Sequence, residues 1–285
     1  LRHVLADPTC SVLGHEQDGL LASDGSECAF SHALIRTAVL ESLLRSTRRD
    51  LHRRASLWFE GRDPAMYAHH LAGAEDPRAA AAYLEAAALE QAACRFDRAE
   101  QLVARAREIA TEGHDQCIAS VMLGEIKLGK GRTEDAAAAF RVAIDLAASN
   151  AERARAWLGL ASSLRVVDRY EEALDALRHA EQAALAEAEP RRLAHLWTLR
   201  GNLHFPRGEL DECRAAHERA LEFAGQAGSP EDIARALGGL GDAQYQRGRM
   251  RTAHTHFRNC VDLCVQHEFA GLRLSYLPML AVTQA

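Results

Sequence analysis

The chain has 285 residues, 48% of them hydrophobic and 26% charged, with a net charge of −6 and a pI near 6.2. That balance argues against nucleic-acid binding, which needs a basic face, and the seven cysteines, odd in number and without paired spacing, fit reduced cytosolic thiols better than a disulfide framework. No run approaches the roughly eighteen consecutive apolar residues of a membrane span, no charged-apolar-small leader opens the chain, and a start at Leu1 rather than Met makes the sequence read as a piece of a larger protein.

At the N-terminus, Gly19-Leu20-Leu21-Ala22 and Glu27-Cys28-Ala29-Phe30 flank Ser23-Asp24-Gly25-Ser26. Asp-Gly between short apolar runs predicts a β-hairpin. Leu34, Ile35, Ala38, Val39, Ser42 and Leu43 then recur at helical spacing, as do Leu51, Ala55, Trp58 and Phe59 after Ser46, taken as an N-cap. Hairpin plus helices reads as the end of a winged helix, over residues 1–60. Asp63-Pro64 and Asp76-Pro77 each place a capping residue before proline, so a helix is expected to start at each. Residues 61–78 are assigned as a linker helix and 79–285 as a repeat array.

The array rests on one spacing. Ala87, Gly124, Ala161, Gly201 and Gly241 are followed twelve residues later by Ala99, Ala136, Ala173, Cys213 and Ala253, and seven further on by Ala106, Ala143, Ala180, Ala220 and Cys260. Between the last two sets stand larger residues, Val103, Phe140, Leu177, His217 and Phe257. Small residues where helices cross and large ones between them describe a helix–turn–helix unit that stacks on its own copies. A further anchor at Ala281 makes Leu272–Ala285 the first helix of an unfinished sixth unit.

With Trp157, Trp197 and Leu237 in the first slot, and Leu123-Gly124 and Leu240-Gly241 in the next, the pattern resembles the tetratricopeptide repeat. The fold expected is all-α: a right-handed tetratricopeptide superhelix, an α-solenoid of five repeats and a truncated sixth, preceded by a small winged-helix-like segment with one β-hairpin. A second resemblance lies in Phe30-Ser31-His32-Ala33-Leu34-Ile35-Arg36, Leu43-Leu44, Arg48-Arg49, Leu51-His52 and Ala55, continued by Ala68-His69-His70-Leu71 and Ala82-Tyr83-Leu84. This is similar to the segment joining winged helix to repeats in bacterial signal-transduction ATPases, among them LuxR-type and AfsR-like transcription regulators and multidomain adenylate cyclases. It implies a cytoplasmic, non-enzymatic regulatory segment that senses a ligand or protein and restrains an upstream ATPase domain in cis. ATP and magnesium then belong to that upstream domain, and no cofactor is expected here. A general protein-binding scaffold, or the regulatory tail of a nucleotide cyclase, are the alternatives.

Several motifs invite sharper readings. Gly124–Gly131 nearly spells a phosphate-binding loop, but a repeat helix leads into it and Gly131 stands where Ser or Thr must hold magnesium. His256, Cys260, Cys264 and His267 share a helical face; one helix cannot surround a tetrahedral ion, and Cys260 occupies a small packing slot, so no metal is assigned. Arg45, Arg48, Arg49, Arg53 and Arg54 form a basic run interleaved with Glu41 and Asp50, which reads as a solvated face rather than a DNA contact. No catalytic residue is assigned. If the first helices line the concave surface, the residues facing a partner are Arg155, Leu158, Ser162 and Arg165, then His195, Thr198, Asn202 and Phe205, then Arg235, Gly238, Asp242 and Tyr245. Arginines, an amide and aromatics there suit an extended peptide, a protein segment or a small anionic inducer.

Overall fold

The computed structural model describes residues 12–23, 28–111, 113–187 and 189–284. Among them are fifteen α-helices and one two-stranded sheet, and the chain divides into two compact units, residues 1–119 and 120–285.

The first unit opens with α1 (Leu13–Gln17) and the antiparallel strands β1 (Leu21–Ser23) and β2 (Cys28–Phe30), with Leu21 opposite Phe30 and Ala22 opposite Ala29. The hairpin is where the Asp-Gly signal put it; its turn residues 24–27 lie outside the described residues. The Ser31 hydroxyl donates to the Gly19 and Leu20 carbonyls, at 2.5 and 3.1 Å, and ties the strand exit to its entry. In α2 (Ala33–Ser42) the cap is His32, whose Nδ1 accepts the Leu34 N–H at 3.1 Å. For α3 (Arg45–Phe59) the expected Ser46 cap is corrected: the cap position is Leu44, which has no side-chain acceptor, and Ser46 lies in the first turn because the chain stays extended only through Leu43 and Leu44.

Helix α4 (Pro64–Gly73) begins as Asp63-Pro64 predicts, the Asp63 carboxylate accepting the Ala65 and Met66 N–H groups at 3.0 Å. Asp76-Pro77 behaves differently. The Asp76 carboxylate accepts the Arg78 N–H at 2.9 Å and its carbonyl accepts the Ala79 N–H at 3.0 Å, which closes a turn over Pro77 and Arg78. Helix α5 (Ala79–Ala92) therefore starts two residues later than expected. Its buried face is mostly alanine, and the short side chains allow close approach of α6 (Phe96–Ile109), which buries Ala99, Leu102, Val103 and Ala106.

From α7 (Gly113–Gly129) onward the hairpins repeat: α8 (Thr133–Leu146), α9 (Asn150–Val166) with α10 (Tyr170–Glu187), α11 (Pro190–His204) with α12 (Leu210–Gln226), α13 (Pro230–Gln246) with α14 (Met250–Gln266), and α15 (Ala270–Val282). The first helices α9, α11, α13 and α15 are neighbours in that order, the connectivity of a helical solenoid. Helix starts follow local chemistry. Ser149 and Glu152 form a reciprocal capping box at α9, Ser229 caps α13, and Pro190 and Pro230 stand in the first turns of α11 and α13. The residue seven after every anchor turns the chain between the two helices with positive φ: Cys94, Gly131, Asp168, Gly208 and Gly248.

What spaces these helices is a large side chain held between glycines. A Cβ on Gly124 would lie 2.7 Å from the Phe140 ring, and a Cβ on Gly159, in the next first helix, would also fall closer than 3.0 Å to that ring. His217 stands in the same relation to Gly201 and Gly239, and Phe257 to Gly241. Phe140, His217 and Phe257 thus enter gaps that only glycine leaves open, and these three, together with Leu177 in the repeat whose anchor is Ala161, are at most 1% exposed.

Glycine inside a helix normally costs up to about 1 kcal/mol against alanine. Gly225→Ala, whose new methyl meets nothing within 4 Å, should therefore stabilise the protein by about 0.5–1 kcal/mol. Gly159→Ala should destabilise it by about 1–3 kcal/mol, because its methyl overpacks against Phe140. Urea unfolding of both variants checks the sign, and equal effects would remove Phe140 from the gap.

Candidate functional site

Two cavities, both within the second unit, gather most of the residues predicted to face a partner. The first, of about 460 Å³, is lined among others by Arg155, Leu158, Ser162, His195 and Arg235. The second, of about 490 Å³, is lined by Arg165, Val166, Asp168, Tyr170, Asn202, Phe205, Pro206, His217 and Asp242. Thr198, Gly238 and Tyr245 line neither. Thr198 is 9% exposed, so a packed position takes the place of a groove contact there, and Gly238 lies under the Tyr276 ring.

The first cavity is internally neutralised. Arg155 meets Glu125 through both Nε and a terminal nitrogen, at 3.2 and 2.9 Å. Arg191 reaches Asp232 at 3.3 Å, Arg192 reaches Glu189 at 2.6 Å, and Arg235 reaches Glu231 at 2.5 Å. Arg192 also donates to the Ala151 carbonyl at 2.9 Å. An anionic ligand here has to displace a carboxylate from each arginine it takes, while a partner of mixed charge can exchange with the pairs one for one. Sequence reasoning selected Arg155 and Arg235 but missed Arg191, Arg192 and the acids, which stand near the starts of α11 and α13 or, like Glu125, within α7 beside an anchor.

The second cavity is the opposite case. Arg165 has its Nε buried without a hydrogen-bond partner, and so has His217 at Nδ1; Gln244 Oε1 is the remaining such atom among the described residues. A buried, unmade hydrogen bond costs about 1–3 kcal/mol, and both residues line this cavity, so a ligand towards which either side chain turns recovers part of that cost. Burial pushes the His217 imidazole down to about 4, leaving it neutral at pH 7. Burial lifts the Asp242 carboxyl to about 6, partly offset by the hydrogen bond from Tyr276. The Tyr170 hydroxyl donates to Asp168 at 2.5 Å, and Phe205 adds an apolar wall. The arrangement offers a guanidinium, an amide and an imidazole for polar recognition beside two aromatic rings. His217 was not predicted as a site residue, although its signal was legible: a histidine in a slot that Val103, Phe140, Leu177 and Phe257 fill elsewhere.

The other motifs fall into packing roles. The phosphate-loop lookalike is helical as far as Gly129 and lays Gly124 against Phe140. Cys260 and Cys264 are buried and packed with Ala234 and Leu237, and burial raises both thiols. In the basic run, Arg45 and Arg49 share Glu75 at 2.7 and 3.5 Å, Arg53 pairs with Asp50 at 2.7 Å, and Arg48 donates to the Leu40 carbonyl at 3.4 Å. No helix among the described residues is long and apolar enough to cross a membrane.

Comparison with known proteins agrees with this geometry. The tetratricopeptide-repeat family matches residues 192–264, which cover α11 to α14. No curated protein matches the chain in sequence. Among solved structures, the chain is similar to a Signal Transduction ATPase with Numerous Domains carrying a tetratricopeptide repeat sensor, from Pyrococcus horikoshii, at 14% identity and a TM-score of 0.61. That match covers 99% of this chain and 50% of the other. A thermophilic tetratricopeptide protein of Thermus thermophilus aligns at 20% identity and a TM-score of 0.57, over 71% of this chain and 99% of its own. BtubC from P. vanneervenii aligns at 18% identity and a TM-score of 0.56, over 83% and 93% respectively. At these identities the likeness establishes the fold, a helical solenoid with tetratricopeptide repeats.

Replacing His217 with phenylalanine restores the aromatic slot and removes an unpartnered buried nitrogen, so His217→Phe should stabilise the protein by about 1–2 kcal/mol at pH 7. With the folded-state pKa of His217 held below its unfolded value of 6.5, the unfolded chain binds the proton first as pH falls, and stability is lost from about pH 6.5 towards 4. Asp242 acts in the reverse sense, because its raised pKa adds stability as pH falls through about 6. Denaturant unfolding at pH 7 and pH 4.5 should therefore show a smaller acid loss in His217→Phe than in the parent chain. An equal loss would mean that His217 is not buried as a neutral imidazole.

Proposed function

We propose that this chain is the ligand- or protein-sensing segment of a cytoplasmic, ATP-dependent transcriptional regulator of the LuxR-type or AfsR-like kind. In this reading residues 1–60 supply the end of a winged helix, residues 61–78 the linker, and residues 79–285 the sensory array. The segment is not itself catalytic, and ATP and magnesium are bound by an upstream domain of the same polypeptide. The observation that carries the reading is the second cavity, where Arg165 and His217 present buried polar atoms with no partner. A peptide or small inducer with a carboxylate or carbonyl group supplies the acceptor that the Arg165 Nε–H lacks, since a charge-assisted hydrogen bond to guanidinium is among the stronger polar contacts, and an amide on the same ligand serves His217 Nδ1 in either tautomer.

Two further observations support the reading. The cavity is lined from α9, α11 and α13, so a ligand spanning it would bias the packing of consecutive repeats. No described residue of α2 is buried, and Leu34 within it and Leu44 at the cap of α3 are 71% and 74% exposed, an apolar surface suited to docking on the ATPase domain in cis. The first cavity favours a second reading as a protein-binding scaffold, because its alternating acids and arginines suit a partner of mixed charge and not a free anion.

In the full-length parent, Arg165→Ala combined with Asn202→Ala should abolish the response to the inducer. Thermal unfolding should stay within a few degrees of the parent, since the pair contributes little to the packed core. A double variant that responds normally would sink the assignment of this cavity as the sensor.

A further inference from the structure

Within the first unit, helices α3 and α4 bring three histidines together. His52 Nδ1 and His70 Nδ1 are 2.9 Å apart, and ligand nitrogens of His52, His69 and His70 all lie within 4.8 Å of one another. No other such group of three histidine, cysteine, aspartate or glutamate side chains occurs among the described residues. The rings are held in place. A Cβ on Gly73 would fall within 3.0 Å of the His52 imidazole, so the glycine is what lets that ring lie on α4, and Phe59 stacks on His70 at 5.2 Å with an interplanar angle of 14°. His69 is exposed and stands edge-on to both partners, with ring centroids 5.9 and 5.2 Å away.

From this juxtaposition we infer that His52, His69 and His70 form a binding site for a transition-metal dication of the zinc class, with a fourth coordination position open to solvent. Three imidazoles suit zinc, copper or nickel, whereas calcium and magnesium require oxygen ligands. Tetrahedral coordination at about 2.0–2.1 Å puts neighbouring ligand atoms roughly 3.3 Å apart, a separation between the 2.9 Å of His52 and His70 and the 4.8 Å limit of the set. Rotation of the exposed His69 ring closes the remainder.

The hydrogen bond between the two Nδ1 atoms means that one of them carries the bridging proton. When both Nδ1 atoms bind a metal, the donor ring takes its Nε2–H tautomer. The charges around the site also matter. Arg48 acts on His52, while Arg45 and Arg49 are paired with Glu75, which limits the positive charge that opposes a dication. Bound metal would pin α3 to α4, the elements that lead into the repeat array.

The full 285-residue chain, prepared without an affinity tag and stripped with chelator, should bind one equivalent of Zn²⁺ in a calorimetric titration with micromolar or tighter affinity. Co²⁺ in its place should give a tetrahedral ligand-field spectrum without thiolate charge-transfer bands. His69→Gln changes only an exposed side chain and should weaken binding at least about tenfold, as should His52→Gln, while His256→Ala should leave it unchanged. Failure to bind one equivalent, equal binding by His69→Gln, or thiolate bands pointing to Cys260 and Cys264 would each overturn the assignment.

Discussion

In three of the repeats a ring from the second helix enters gaps that glycines leave in the first helices beside it, and the packing of those repeats depends on it. Phe140 meets Gly124 and Gly159, His217 meets Gly201 and Gly239, and Phe257 meets Gly241. Phe140 and His217 therefore each couple three helices, the two of their own hairpin and the first of the next. Protein interiors tolerate neither a void nor an extra methyl at such contacts, so the spacing of successive first helices is set by ring against backbone. Alanines at Ala136, Ala143, Ala173 and Ala180, all fully buried, keep the second helices equally close.

The same constraint produces the candidate site. A histidine in the ring slot retains the shape that the glycines require but brings two polar nitrogens into a place built for phenylalanine. Its Nδ1 is left unpartnered, and beside it Arg165 is unpartnered at Nε, in a cavity also lined by Asn202 and Asp242. Buried polar groups without partners are rare and costly, so their coincidence in one cavity marks it more sharply than the larger number of charged groups in its neighbour. There each arginine already has its carboxylate, and the net recognition capacity for an anion is small.

Much of this was legible in the sequence because the repeat imposes its spacing on residue size. The small positions from Ala87 to Cys260, the large positions after them and the glycines that end the first helices all sit where the register puts them. What was not legible is what spacing does not encode. Cys94 and Asp168 adopt the positive φ that glycine takes in the other repeats, and neither residue type announces it. Asp76 spends its carboxylate on a turn before the helix, and Ser46 is passed over by a helix that starts after Leu44. Both are matters of where extended backbone ends. Two of the acids that pair with the groove arginines come from neighbouring first helices, Glu125 to Arg155 across thirty residues and Asp232 to Arg191 across forty-one, and local reading cannot pair those, whereas Glu231 with Arg235 and Glu189 with Arg192 are contacts of four and three residues within one helix start. The His52, His69 and His70 cluster likewise joins two helices and appears only when they pack.

The most direct test of the ring-and-glycine account is a double-mutant cycle on Gly239 and His217 by urea unfolding. In the parent background Gly239→Ala should cost about 1–3 kcal/mol, because the new methyl meets the His217 ring. In a His217→Ala background the ring is gone, and the same substitution should be neutral or stabilising by up to about 1 kcal/mol, the helix preference of alanine over glycine. The same cost in both backgrounds would contradict the account, since it would mean that the ring does not occupy the gap on which the helix spacing and the candidate site both rest.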